Sequence, residues 1–271
     1  MEIVFNNLFY KENKKSILNS INLNIKKSSI IAFVGDNINC LCKIISLEKR
    51  PASGSIILDK IKCSRTNRID NIKNIQSKIG YVEDSDRYIF KKKNVLEFIK
   101  SILNKHEHNI ANVLTHIEQS LKIVGLNMDV MDKDPNCLSY TEQKRVLLAS
   151  ILSYNPEVIV LDNFDKGFSY RDKEYFKKLF LKLKNKYNKV IILLEKKVDF
   201  LFDLVDNIYV INKGEVVLSG TKKLFYNNKL YNYVEMPKIV EFTNYVKREY
   251  KIVEYTDRNE LIKELYRYIR Y

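Results

Sequence analysis

Three short apolar runs constrain the fold most: EVIVLD (157–162), KVIILLE (189–195) and NIYVINKG (207–214). Runs this continuous suit strands buried on both faces. The stretches between them, 171–186 and 198–205, carry helical spacing, and the connections are short. The order β-α-β-α-β predicts a parallel sheet with helical crossovers. Two further buried strands are expected upstream, at 30–34 (IIAFV) and 78–83 (KIGYVE).

The remaining segments extend this core. Residues 2–10 and 16–25 alternate apolar and polar side chains and read as two antiparallel strands. Residues 54–63 read as a hairpin or edge strands. A helix is expected over about 41–49, ending before Arg50-Pro51. Helical patterns fill about 90–153, and 222–271 reads as helices packed on the outside. The fold class expected is α/β, with an antiparallel front, a helical insertion and a C-terminal extension.

Composition narrows the class. Of 271 residues, 45% are hydrophobic and 30% charged, which specifies a globular chain. No run of about 18 apolar residues could span a bilayer. The start, MEIVFNNLFY, lacks the basic and apolar regions of a signal peptide. Four cysteines suit a reduced compartment. Cys40 and Cys42 form a C-x-C pair with no second pair at metal spacing, which argues against zinc. His106, His108 and His116 read as surface residues of the helical insertion. The net charge of +14 is spread along the chain, without an arginine-rich stripe or interleaved stacking aromatics, so nucleic acid is not an expected partner.

Segments matching in order and spacing carry a resemblance: FVGDN, RPASGSIILD, IGYVE, LSYTEQKRVLLASILSYNPEVIVLDN, VIILLEK and IYVINKGEVVLSGT. Together they resemble an ATP-binding cassette (ABC) ATPase, with the P-loop-NTPase-like α/β fold that implies. The likeness covers nearly the whole chain. It divides the chain into a nucleotide-binding domain over 1–220 and an extension over 221–271. Within that extension, YNYVEMPKIVEFTNYV (231–246) and RNELIKELYRYI (258–269) resemble the tail of energy-coupling factor (ECF) transporter ATPases, which helps join two ATPase subunits.

The residues that should do the chemistry are missing. A phosphate loop needs G-x-x-x-x-G-K-[ST], because glycines let backbone N–H groups reach phosphate, lysine neutralises charge and the hydroxyl holds Mg²⁺. Counted from Gly35, those positions fall on Cys40, Leu41 and Cys42. In a second register LCKIIS is the helix after a shortened loop. Lys43 is then either a displaced phosphate lysine or a solvated helix lysine. Asn37 and backbone amides near Gly35 remain as candidate phosphate contacts.

The other positions follow the resemblance. Asp162 matches the Walker B aspartate that steadies Mg²⁺. The following position, a glutamate in the family, is Asn163, which cannot act as a general base. The signature reads Leu138-Ser139-Tyr140-Thr141-Glu142 in place of L-S-G-G-Q. Ser139-x-x-Glu142 is also a capping box. The switch histidine falls on Lys196, the Q-loop glutamine near Glu83 or Asp84, and the D-loop aspartate on Ser169. Tyr10 stands where an aromatic stacks on adenine, or is an ordinary strand tyrosine.

No catalytic residue is therefore expected, and ATP and Mg²⁺ are expected to bind weakly or not at all. The resemblance implies a degenerate subunit of an ECF-type importer for a vitamin or metal ion. Its partners would be a second ABC ATPase subunit and an integral-membrane subunit, at the cytoplasmic face of the membrane. Two alternatives stand beside it: a working ATPase with unusual motifs, and a free-standing regulatory or nucleic-acid-binding protein on a cassette scaffold.

Overall fold

Two sheets organise the chain in the computed structural model. It describes residues 1–67, 72–82, 84, 90–105, 112–202 and 204–250, together with 262, 263, 266 and 267. The first sheet is antiparallel, in the order β2-β1-β4-β5, with β1 (Ile3–Glu12), β2 (Lys15–Ile25), β4 (Ser53–Leu58) and β5 (Ile61–Ser64). The second has the order β10-β9-β3-β8-β7-β6. It comprises β3 (Ile30–Gly35), β6 (Ile79–Val82), β7 (Val158–Asp162), β8 (Val190–Glu195), β9 (Asn207–Asn212) and β10 (Glu215–Thr221). All its neighbouring strands run parallel except the edge pair β9 and β10.

Alternation along the buried runs builds two cores. Ile30, Ala32 and Val34 of β3 face the helices, while Ile31 and Phe33 face the antiparallel sheet. Ile159 and Leu161 against Val158 and Val160 repeat the pattern in β7. The helical side is formed by α3 (Val95–Lys105), α4 (Val113–Ile123), α5 (Tyr140–Leu152) and α6 (Tyr170–Tyr187). α6 buries Phe176, Phe180 and Leu183, a stripe at helical spacing. The short α1 (Asn39–Ile45) lies in the other core, and α2 (Ile72–Gln76) precedes β6. Beyond β10, Phe225 and Leu230 enter the helical core ahead of α7 (Lys238–Tyr250). Most of the tail segment 258–269 lies outside the described residues.

Two expectations are corrected. Residues 198–205 do not form a regular helix. Val198, Phe200, Leu201, Phe202, Leu204 and Val205 are all buried, and Asp199 is the one exposed residue among those described there. The chain instead makes successive turns, with Leu201 N–H donating to Val198 O and Leu204 N–H to Leu201 O. The strand β10 was not anticipated. It returns against β9 through Lys213 (φ 51°) and Gly214 (φ 84°), the two positive φ values that suit a two-residue hairpin turn.

No described helix is long and apolar enough to cross a membrane. Cys40, Cys42 and Cys63 are buried and Cys137 is exposed.

Candidate functional site

The loop after β3 is built from its own backbone contacts. Gly35 has φ +107°, and a Cβ there would stand 2.0 Å from Ile211 O of β9. Close approach of two strands therefore demands this glycine. Only Asp36, Asn37 and Ile38 separate it from α1. Asp36 N–H donates to Ile211 O, Cys40 N–H to Asn37 O and Leu41 N–H to Ile38 O. The Asp36 amide is thus engaged by β9, and those of Cys40 and Leu41 by the loop. Lys43 lies inside α1, which buries Cys40, Leu41, Cys42, Ile44 and Ile45 around it.

At the end of β7, Asp162 Oδ2 accepts from the Tyr81 hydroxyl at 3.5 Å. The Cys42 thiol is fully buried; burial first, and then the Asp162 charge, push it well above its ordinary pKa. A neutral thiol is a poor ligand for Mg²⁺, which selects oxygen. The donors present do not fit that ion. Among the described residues, no group of three His, Cys, Asp or Glu side chains could hold a metal.

Asn163 occupies the left-handed region (φ 47°), which asparagine tolerates well. Its Nδ2 donates to Asp84 Oδ2 at 2.9 Å, and its N–H donates to Leu194 O at 2.8 Å. Its carbonyl accepts from Lys144 Nζ at 2.5 Å. Lys144 has no exposed surface, and its ammonium also donates to Phe164 O at 3.1 Å and Lys166 O at 3.2 Å. Burial lowers its pKa, against which Asp84, Glu195, Asp165 and Asp162 favour the charge.

Glu195 closes the other side. Its Oε1 accepts from Phe164 N–H at 2.9 Å. Complete burial, then repulsion from Asp165, push its carboxyl well above the usual range. Its Oε2 has no hydrogen-bond partner among the described residues. Asp165 itself is paired with Lys173 at 2.7 Å.

The signature segment folds back on the same chain. Tyr140 donates its hydroxyl to Asp84 Oδ1 at 3.1 Å. Its ring covers Gly167, where a Cβ would come within 2.8 Å of a ring carbon. Ser139 caps α5: its hydroxyl donates to Glu142 Oε2 at 2.5 Å and accepts from Glu142 N–H. That hydroxyl and the Ser139 N–H hold the Glu142 carboxyl below its usual pKa. Ser169 likewise caps α6 through Asp172.

Asp162, Asn163 and Asp84 thus come together in one network. Tyr10 is buried in the antiparallel core, with its hydroxyl pKa raised first by burial and then by Glu12. Lys196 follows β8 and is exposed, as is His116. Glu83, His106 and His108 lie outside the described residues. Sequence reasoning missed Lys144 and Glu195. A signal existed for each: Lys144 shares a helix face with Leu147, Leu148 and Ile151, and Glu195 ends a fully apolar strand.

Replacing Asn163 with the missing glutamate is not expected to create an ATPase. Asn163→Glu would set two carboxylates together in place of the Asp84 hydrogen bond and put a less tolerant residue at positive φ. A loss of about 1–3 kcal/mol in urea unfolding, with hydrolysis at background, is the expected result.

The chain matches the ABC transporter family model over residues 18–165. It is 29% identical over 230 residues to an energy-coupling factor transporter ATP-binding protein, EcfA2, of Streptococcus agalactiae, covering 82% of this chain and 81% of that one. It is 31% identical over 221 residues to a putative ABC transporter ATP-binding protein of Clostridium acetobutylicum, covering 78% of this chain and 76% of that protein. Its fold is similar to cbiO1 from Clostridium perfringens, part of the ABC transporter complex cbiONQ. That match has a TM-score of 0.71 and 25% identity, over 89% of this chain and 98% of the other. Sequence and fold agree: the chain belongs to the ABC transporter family.

Proposed function

We propose that the chain is a catalytically degenerate ATP-binding-cassette subunit of an ECF-type importer for a vitamin or metal ion. It pairs with an intact ATPase subunit and docks on an integral-membrane subunit at the cytoplasmic face. The EcfA2 relatives and the cbiO1 likeness support the transporter class. The observation that carries degeneracy is the network filling the site. The Asn163 amide donates to Asp84 where a general base would act, and Lys144 lies beneath its carbonyl. Phosphoryl transfer depends on positioning and electrostatics. Losing one such donor costs ~10²–10³ in rate, and here the lysine, the hydroxyl and the base are all replaced. Tyr10, Gly35, Asn37, Lys43, Glu83, Ser139 and Asp162 would make at most a weak ATP site, in which Asp162 alone is left to face Mg²⁺.

A groove of about 360 Å³ supports docking of a membrane subunit. It is lined by Ser46, Gln76, Tyr81, Phe98, Leu147 and Tyr154, between the β6 edge of the sheet and α3 and α5. The extension over 221–271 would help to join the two cassettes.

The isolated chain is expected to show no magnesium-dependent ATPase above background, and Asp162→Asn to change nothing. Measured with and without an intact cassette, turnover should follow the intact partner alone. Robust hydrolysis by the isolated chain that disappears on Asp162→Asn would overturn the degenerate reading.

A further inference from the structure

We propose that Lys144 is an internal substitute for bound nucleotide. Its ammonium fixes the loop after β7 and the start of α5 in one arrangement, whether or not ATP and magnesium are present. The proposal rests on the reading that the phosphate cradle is lost, and it adds what took over the organising role.

An ammonium has three donors. Those of Lys144 reach the carbonyls of Asn163, Phe164 and Lys166, so all three are used on one four-residue loop. Three carbonyls converging on one buried point make a cation site, and the chain supplies the cation from α5. The carboxylates of Asp84, Asp165 and Asp162 favour its charge. The rings of Tyr140 and Phe168, with centroids 4.8 and 5.8 Å from Nζ, cover it.

Further ties close the same loop. Asn163 Nδ2 and the Tyr140 hydroxyl both donate to Asp84, which joins the loop to the segment after β6. Phe164 N–H donates to Glu195 Oε1 and Asn163 N–H to Leu194 O, which join it to β8. The Lys173–Asp165 pair joins it to α6. Four elements are thereby fastened to residues 163–167 without any diffusible ligand. A buried charged group bonded to several backbone carbonyls is costly to displace. The loop and the helix start that carries Tyr140 must therefore move together or not at all.

Hydrogen–deuterium exchange on the full chain tests this, with and without millimolar ATP and MgCl₂. Exchange over 138–148 and 160–170 should be slow and change by less than about twofold on adding nucleotide. Lys144→Met, which keeps the length and removes the charge, should speed exchange over 163–167 roughly tenfold while β3 stays protected. Tyr140→Phe, which deletes the hydroxyl that bonds Asp84 and keeps the ring over Lys144, should give a smaller rise in the same peptides, and it serves if Lys144→Met does not fold. Nucleotide-dependent protection of 163–167 in the unaltered chain would overturn the proposal. So would unchanged exchange in Lys144→Met, or in Tyr140→Phe where that variant stands in. An ATPase assay on the same sample separates the two readings. Hydrolysis with unchanged exchange overturns degeneracy and keeps the Lys144 proposal. No hydrolysis with nucleotide-dependent exchange does the reverse.

Discussion

Gly35→Ala is expected to destabilise the protein by on the order of 3–5 kcal/mol, a fall in Tm of roughly 10 °C. The new methyl group would meet Ile211 O at 2.0 Å, and an L-residue would be held at φ +107°. Neither problem can be relieved by a side-chain rotation. The obstacle is the backbone of β9, which is paired in register with β3 along its length. Differential scanning calorimetry measures the loss. The result separates two reasons for a glycine at the end of this strand. A glycine kept for phosphate would be replaceable at little cost in stability. A glycine kept for strand approach would not.

Glu195→Gln should have the opposite sign. Burial first, and then Asp165, raise the folded pKa of the Glu195 carboxyl well above that of the unfolded chain. A raised carboxyl stabilises the fold fully below the unfolded value, about pH 4.3. That contribution is lost as pH rises toward the folded value, because the unfolded chain releases the proton first. Glutamine cannot titrate. Its carbonyl can still accept from Phe164 N–H, and its amide can donate toward Asp165. The variant should match wild type near pH 4 and exceed it at pH 8. Each unit by which the carboxyl is raised is worth about 1.4 kcal/mol, and the sign of the difference at pH 8 is a gain for the variant. Chemical denaturation across pH measures it. A variant less stable than wild type at pH 8 would mean that Glu195 is ionised and paired with Lys144.

Much of the architecture was legible in the chain because burial on both faces leaves a continuous apolar record. IIAFV, VIVLD and VIILLE became β3, β7 and β8. The Ser139–Glu142 capping box, written in four residues, formed as read. The stretch 198–205 misled because its residues are apolar at helical spacing, yet tertiary packing buries nearly all of them. The candidate site was legible only as departures from the family's motifs. Its replacement was not, because Asp84, Lys144, Asn163 and Glu195 lie far apart in sequence and meet only when the sheet and α5 are assembled. A lysine reads as solvated until its three carbonyl acceptors are in view.

The distribution of thiols has a practical consequence. Three of the four cysteines are packed away, and Cys137 alone faces solvent, two residues before the cap of α5. A maleimide dye applied to the native protein has one ready point of attachment, with no need to mutate the others. That point adjoins the segment anchored by Tyr140 and Lys144. The natural chain is thus ready-made for fluorescence titration of a partner cassette, and the buried thiols act as a silent internal control for unfolding.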